Sequence, residues 1–427
     1  ILAAVISLAI TGTVTLSAFI ITFAYAIGTA IPMFVIMIGG QNLLHKVPWL
    51  LANTEKIQKA FGMAMILMAI AIFNNYDRAF QTYILNTFPQ YGVGLTKFED
   101  NTSVKKELEK INQKPTSDMT LPKGLGAPAL IPGGVWFNSK PLTLAELKGK
   151  VVIIDFWTYS CINCQRTLPY LKEWYKKYKD KGLVIIGVHS PEFEFEKNEK
   201  NVARAIKDFG LTYPVVQDND FATWRAYDNH YWPAKYFIDK DGFIRHSHFG
   251  EGEYDESEKV IQELLKETGA KNVSSQVNNP TYQIATNTPE TYLGYGRIQN
   301  FASPEQIKQD ALAVYTTPSH LRANQVAYTG KWNIMEEYAN PQKGAKLLLN
   351  FDSREVFLVM RTKGTPAKVK VYLDDTMQDM GVDNKNGVVT VDADKLYKLI
   401  KLSTPGQHIL RLEFEDGNAE LYAFTFG

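Results

Sequence analysis

The rhythm of hydrophobic and polar positions changes several times along this 427-residue chain, and each rhythm predicts a different kind of structure. Residues 1–44 hold no Asp, Glu, Lys or Arg. That stretch is too long for one bilayer crossing at ~20 residues per helix and too apolar for a surface helix. Thr11-Gly12-Thr13 breaks it, so the pattern predicts the end of one spanning helix at 1–10 and a second at about 14–40, kinked at Pro32. The uncharged run 60–76 fits a third, short span. A buried soluble helix and a cleaved leader are the poorer readings, since no basic region precedes the apolar run and several spans follow. The loop between the second and third spans carries His45, Lys46, Lys56 and Lys59 against Glu55, a basic excess that marks a cytoplasmic loop. Everything after the third span is therefore expected on the far side of the membrane.

Residues 89–125 are polar and broken, with a charged helical patch at 104–112 and then Pro115, Pro122 and Gly124, and they read as a tether. From 126 to 270 apolar runs alternate with helical patterns. Strands are predicted at 151–157, 183–189, 214–217, 235–239 and 243–248, and helices at 162–179, 198–209 and 255–268, which gives a central sheet flanked by helices. A second linker, 271–280, is rich in Asn, Ser and Gln. Beyond it the period shortens to alternating runs at 345–351, 355–360, 367–373, 387–391, 408–413 and 419–426, the pattern of a jelly-roll-like β-sandwich over 281–427. The fold class is thus multidomain: transmembrane α-helices over 1–88, an α/β domain, then an all-β sandwich. The aromatic-rich segments 288–297 and 330–332 are its best contact surfaces, and aromatics in its core or docked on the neighbouring domain are an equal alternative.

Chemistry concentrates at one point. The only two cysteines, Cys161 and Cys164, stand three apart just after the run Val151–Trp157. A thiol at the start of a helix is favoured as its nucleophilic thiolate, and a second thiol one turn on is placed to resolve a mixed disulfide. Zinc would need four ligands, and no second pair is at hand. His246 and His248 share one face of a predicted strand, where alternating polar residues are the ordinary reading, so no metal site is assigned. A bridge closing so short a loop would constrain the unfolded chain little, which sets aside a purely structural disulfide. Asp155 ends the strand beneath the pair, where a carboxyl in apolar surroundings is raised in pKa and can relay protons. Pro169 lies inside the following helix, and Pro233, just before a later strand, is a candidate cis proline. Trp157, Tyr159, Trp232 and Glu192 are the further candidates for contact with substrate. Thr158-x-x-Cys161 also suits a peroxide-reducing thiol, although Ile154 stands where that motif carries its shielding proline.

Asp-Phe-Trp (155–157), Cys-x-x-Cys (161–164), Pro169 and the Pro233 loop resemble the extracytoplasmic thioredoxin-fold domains related to TlpA and ResA. The resemblance implies Cys161 as attacking thiol, Cys164 as resolving thiol, Asp155 as proton relay and Pro233 as the cis proline. Ile162-Asn163 between the thiols departs from the Gly-Pro of cytosolic thioredoxin and leaves the direction of electron flow open. The segment 24–32 resembles the closing helices of the CcdA/DsbD membrane domain, whose transmembrane cysteines would precede Ile1, so the chain is expected to be part of a longer protein. With Thr-Pro-Glu-Thr-Tyr-Leu-Gly-Tyr-Gly-Arg (288–297) opening a carbohydrate-module-like sandwich, the whole resembles the DipZ family. That implies a multi-pass bacterial inner-membrane protein, linked to cytochrome c biogenesis, with no cofactor other than its redox-active disulfide. Its implied partners are disulfide-containing extracytoplasmic proteins such as apocytochrome c, the lipid bilayer, and a glycan or envelope partner at the β domain. The rival reading makes the protein a scaffold that the β domain targets, with the thiols secondary. Lys and Arg (46) nearly balance Asp and Glu (45), so the chain carries no nucleic-acid footprint.

Overall fold

The structure is a computed structural model. It describes residues 121–427 apart from 274–275, 278–281, 283, 285 and 378, and of the preceding stretch Lys56 and Lys59 alone. The expected spans at 1–88 and most of the tether lie outside the described residues. Among the described residues no helix is long and apolar enough to cross a membrane.

The first region is an α/β layer structure. Its strands are β1 (Trp136–Phe137), β2 (Val151–Trp157), β3 (Leu183–His189), β4 (Val215–Gln217), β5 (Ala234–Ile238) and β6 (Ile244–Phe249). They form one sheet in the order β1-β4-β3-β2-β5-β6. β2 runs parallel to β3, which runs parallel to β4, while β5 and β6 are antiparallel neighbours. Every residue of β2 is buried, as an unbroken apolar run in a sheet covered on both faces requires. Helices α1 (Ile162–Tyr178), α2 (Glu199–Phe209), α3 (Ala222–Ala226) and α4 (Tyr254–Glu267) surround it. α1 contains Pro169, as the sequence predicts. α2 ends at Gly210, whose φ of 64° is a left-handed cap that glycine adopts without a Cβ penalty.

The second region is all-β. β7 (Thr291–Tyr292), β8 (Leu312–Tyr315), β9 (Val326–Ile334), β10 (Ala339–Pro341), β11 (Lys346–Thr362), β12 (Ala367–Leu373), β13 (Thr376–Met377), β14 (Asn384–Lys385), β15 (Val388–Val391), β16 (Lys395–Phe414) and β17 (Ala419–Phe426) join in one antiparallel sheet of 11 strands. The two runs expected at 345–351 and 355–360 are one 17-residue strand, β11, and its partner β16 spans 20 residues. Their shared ladder shifts register between Ser353 and Glu355. There the hairpin bends, so that β11 pairs with β9 through its first half and with β17 through its second. The sheet thereby folds over on itself around a single apolar core that includes Trp332, Phe351, Met360, Leu412 and Phe424.

The two regions share one compact unit, Thr116–Gly427. Phe193 and Phe195, after β3, meet Tyr422 of β17 at ring distances of 5.0 and 4.7 Å. Phe357, Val359, Leu396 and Ala423 of the β region belong to the same buried cluster as Leu168, Leu171 and Trp174 of α1.

Candidate active site

β2 carries Asp155 up to the sheet's end, the turn Thr158–Ser160 follows, and Cys161 begins the next element as the N-cap of α1. The Cys161 sulfur accepts a hydrogen bond from the Cys164 backbone N–H at 3.3 Å, so the helix's first amides turn toward it. Cys161 is half-buried and Cys164 fully buried, both as free thiols. Burial, and then the Cys161 sulfur beside it, push the Cys164 thiol well above its ordinary pKa. One sulfur is therefore accessible, and the other stays a thiol until something takes its proton.

The turn is clamped from a distance. Glu196, fully buried, accepts from the Ser160 N–H at 3.2 Å and the Ser160 hydroxyl at 2.6 Å with one oxygen. With the other it accepts from the Glu192 and Phe193 amides at 2.6 and 3.0 Å. Burial raises its pKa, and the hydrogen bonds from Ser160 act against that rise. Below the thiols, Asp155 is fully buried and pairs with the ammonium of Lys235 at 3.6 Å, an ion pair too long for a hydrogen bond. Burial pushes the Asp155 carboxyl up to about 6, and Lys235 pulls it down against that. Gly187 faces Asp155 across the β2–β3 ladder. A Cβ there would come within 2.9 Å of the Trp157 indole nitrogen and 3.3 Å of the Tyr213 ring. A side chain at Gly187 would thus push these rings out of the space beside Asp155.

The Trp232–Pro233 peptide is cis, as the sequence predicts. Trp232 is half-buried, donates its indole N–H to the Ser190 carbonyl at 3.1 Å and packs against Trp224. Trp157 and Tyr159, expected to meet substrate, do not face solvent. Trp157 is completely buried, edge-on to His189, and Tyr159 is 2% exposed and stacked on the same imidazole. Burial lowers His189 to about 3, so that ring is neutral. Glu192 is engaged by the β region. It accepts from the Tyr292 hydroxyl at 2.8 Å and pairs with Arg297 at 2.9 Å. The segment 288–297 is accordingly a docking strip, with the Arg297 guanidinium 3.8 Å over the Tyr292 ring and 5.2 Å from that of Phe193. Trp332 is core, stacked on Tyr328. His246 lies against Phe237 and His248 reaches Glu253 at 3.3 Å. Among the described residues no cluster of His, Cys, Asp and Glu is arranged to hold a metal.

Sequence reasoning missed Lys235 and Glu196. Lys235 leaves a trace, a lone cation inside the apolar strand Ala234–Ile238, which a buried Asp155 would require as counter-charge. Glu196 sits in a charged run and carries no local sign of burial.

Two family models match the chain: AhpC/TSA family over residues 130–247, and Thioredoxin like C-terminal domain over 288–427. Protein DipZ of Mycobacterium bovis is 34% identical over 411 residues, 92% of this chain and 58% of that protein. The chain thus spans little more than half the length of that relative. Thiol-disulfide oxidoreductase YkuV of Bacillus subtilis is 32% identical over 142 residues, 33% of this chain and 95% of YkuV. Thiol-disulfide oxidoreductase ResA of Bacillus cereus is 33% identical over 127 residues, 30% of this chain and 70% of ResA. The chain belongs to the family of thioredoxin-like thiol–disulfide oxidoreductases and is DipZ-like over nearly its whole length.

Proposed function

From that membership we propose that the chain is an extracytoplasmic thiol–disulfide oxidoreductase, anchored in the bacterial inner membrane through 1–88, that reduces disulfides of envelope proteins and serves cytochrome c biogenesis. The observation that carries the reading is the asymmetry of the two thiols: Cys161 is accessible at a helix N-terminus, and Cys164 is buried above the Asp155–Lys235 pair. In the reductive direction the Cys161 thiolate attacks one sulfur of a client disulfide. A Cys161–client disulfide forms and the client's other sulfur leaves as a thiolate, which takes a proton from solvent. Asp155, as carboxylate, then receives the Cys164 proton. The Cys164 sulfur attacks Cys161, the second client sulfur departs and is protonated, and Cys161–Cys164 remains as a disulfide. Two electrons and two protons have passed to the client. A dithiol from outside this chain, whose only cysteines are Cys161 and Cys164, restores the pair by the same exchange run with the roles reversed.

The test is Cys164→Ser in the full chain, presented with insulin as model client. A dithiothreitol-sensitive adduct should accumulate on Cys161 and be absent from the Cys161→Ser/Cys164→Ser chain. A folded Cys164→Ser chain that forms no adduct refutes the assignment. The AhpC/TSA match favours peroxide reduction as a second reading. It predicts that Cys161 consumes peroxide faster than it reduces insulin.

A further inference from the structure

A cleft of about 350 Å³ opens at Cys161, and only one of its walls belongs to the thioredoxin-like region. On that side lie Cys161 and Glu251; on the other lie Thr288, Glu290, Thr425 and Phe426 of the β region. Two features of the far wall point to something that fits there. The Thr425 hydroxyl has no hydrogen-bond partner although the residue is only 6% exposed, and a buried hydroxyl left unpaired is costly unless a ligand completes it. Glu290 is the second. The single Tyr292 hydroxyl stands 2.8 Å from both a Glu192 and a Glu290 oxygen. Its one hydrogen satisfies only one of them. Arg297 neutralises Glu192 at 2.9 Å, and Arg166 approaches Glu251 at 3.4 Å. Among the described residues Glu290 forms no salt bridge, while Arg297, the nearby cation, is paired with Glu192.

Resting on the redox reading above, we propose that the β region is the second half of the client-binding cleft, receiving an extended polypeptide whose disulfide is flanked by a basic side chain. Glu290 pairs with the cation and the Thr425 hydroxyl with the client's backbone. Glu290 is exposed as a residue, yet its carboxyl end is crowded by protein. That crowding, with the Glu192 carboxylate next in effect and Arg297 opposing it, pushes it up to about 7. The groups facing it are Glu192, Tyr292 and Arg297, with Glu251 and Cys161 in the same cleft. Below pH 7 Glu290 is neutral and above it is a carboxylate, so discrimination between cationic and anionic clients should grow as pH rises through 7.

The experiment uses the reduced full chain and two peptide disulfides, the symmetric dimers of acetyl-Ala-Cys-Lys-amide and acetyl-Ala-Cys-Glu-amide. Each rate is normalised to that of dithiothreitol with the same peptide, which removes differences in intrinsic sulfur reactivity. The lysine peptide should be favoured about fivefold at pH 8, the scale of one close charge pair at a solvated site, and the preference should shrink toward pH 6. Glu290→Gln should bring the two normalised rates together, and Thr425→Val should slow both peptides alike. A preference that is absent, independent of pH in the wild type, or unchanged by Glu290→Gln overturns the inference. If neither peptide reacts faster than with dithiothreitol, the redox reading itself falls. The pH series on the unaltered chain decides the matter should a variant fail to fold.

Discussion

The two described regions differ in how much charge they bury. The thioredoxin-like region hides ionisable groups at its heart: Asp155, His189, Glu196 and Lys235 are all 1% exposed or less. Among the described residues of the β region, Glu420 is the one charged side chain that is buried, at 6% exposed. Buried charges cost several kcal/mol each in lost hydration and are recovered only in part by pairing. A region that merely had to fold would not collect them. The difference teaches where reactivity resides: one half trades stability for a tuned thiol, and the other supplies packing and one wall of the cleft.

Cutting the chemistry out gives the largest contrast. Cys161→Ser should reduce insulin turnover to background, while removal of an apolar β residue leaves the chemistry in place for as long as the fold holds. Next, Asp155→Asn should slow release of client from Cys161 by about a hundredfold. In the wild type that release should quicken as pH rises through about 6, where Asp155 becomes a carboxylate, and the variant should lose this limb. Lys235→Met should move the limb to higher pH, since the opposing cation is gone. Rapid-quench measurement of the mixed disulfide between pH 5 and 8 reads all three chains. The same raised pKa works against the fold. Its stabilising contribution is full below the ordinary carboxyl value of 3.8 and fades as pH rises through about 6, a loss of about 3 kcal/mol by neutral pH.

A third prediction tests whether the halves are separable. Tyr422→Ala should cost about 3–5 kcal/mol. Amide-exchange protection in β2 should fall together with that in β17, because Phe193 and Phe195 lose their partner. Protection lost in β17 alone would show two independent regions. The smallest effect belongs to the rim. Glu337→Ala removes only the acceptor for the exposed Glu194 amide and should change chemical-denaturation stability by less than about 0.5 kcal/mol.

The sequence was informative where structure is local. β2 and β3 fall at the expected 151–157 and 183–189, because unbroken β-branched runs leave little alternative. β16 was half hidden. Lys395, Lys398 and Lys401 repeat at a spacing of three, which blurs a strand's alternation, and Pro405 argues against a strand at all. In the structure that proline falls where the β11–β16 pairing is interrupted, between Lys401 and Gly406, so it removes no ladder hydrogen bond. β9 was obscured in the same way by Gly330, Lys331 and Asn333. At the site, Asp155, Cys161 and Cys164 were legible within ten consecutive residues, and Pro233 through its place just before a strand. Lys235, Glu196 and Thr425 were not, since each matters through a partner 36 or more positions away or through a wall contributed by another region. Trp157 and Tyr159 misled because proximity to a reactive thiol in the chain places a residue beneath it as readily as beside it.

The aromatic seam between the two regions has a practical side. A fragment ending before the β strands would lay Phe193 and Phe195 bare, both at most 4% exposed in the intact unit, as one adhesive patch. Such a truncated piece should clump or seek a foreign surface, and a loss of turnover in it would report poor solubility before it reported anything about sulfur.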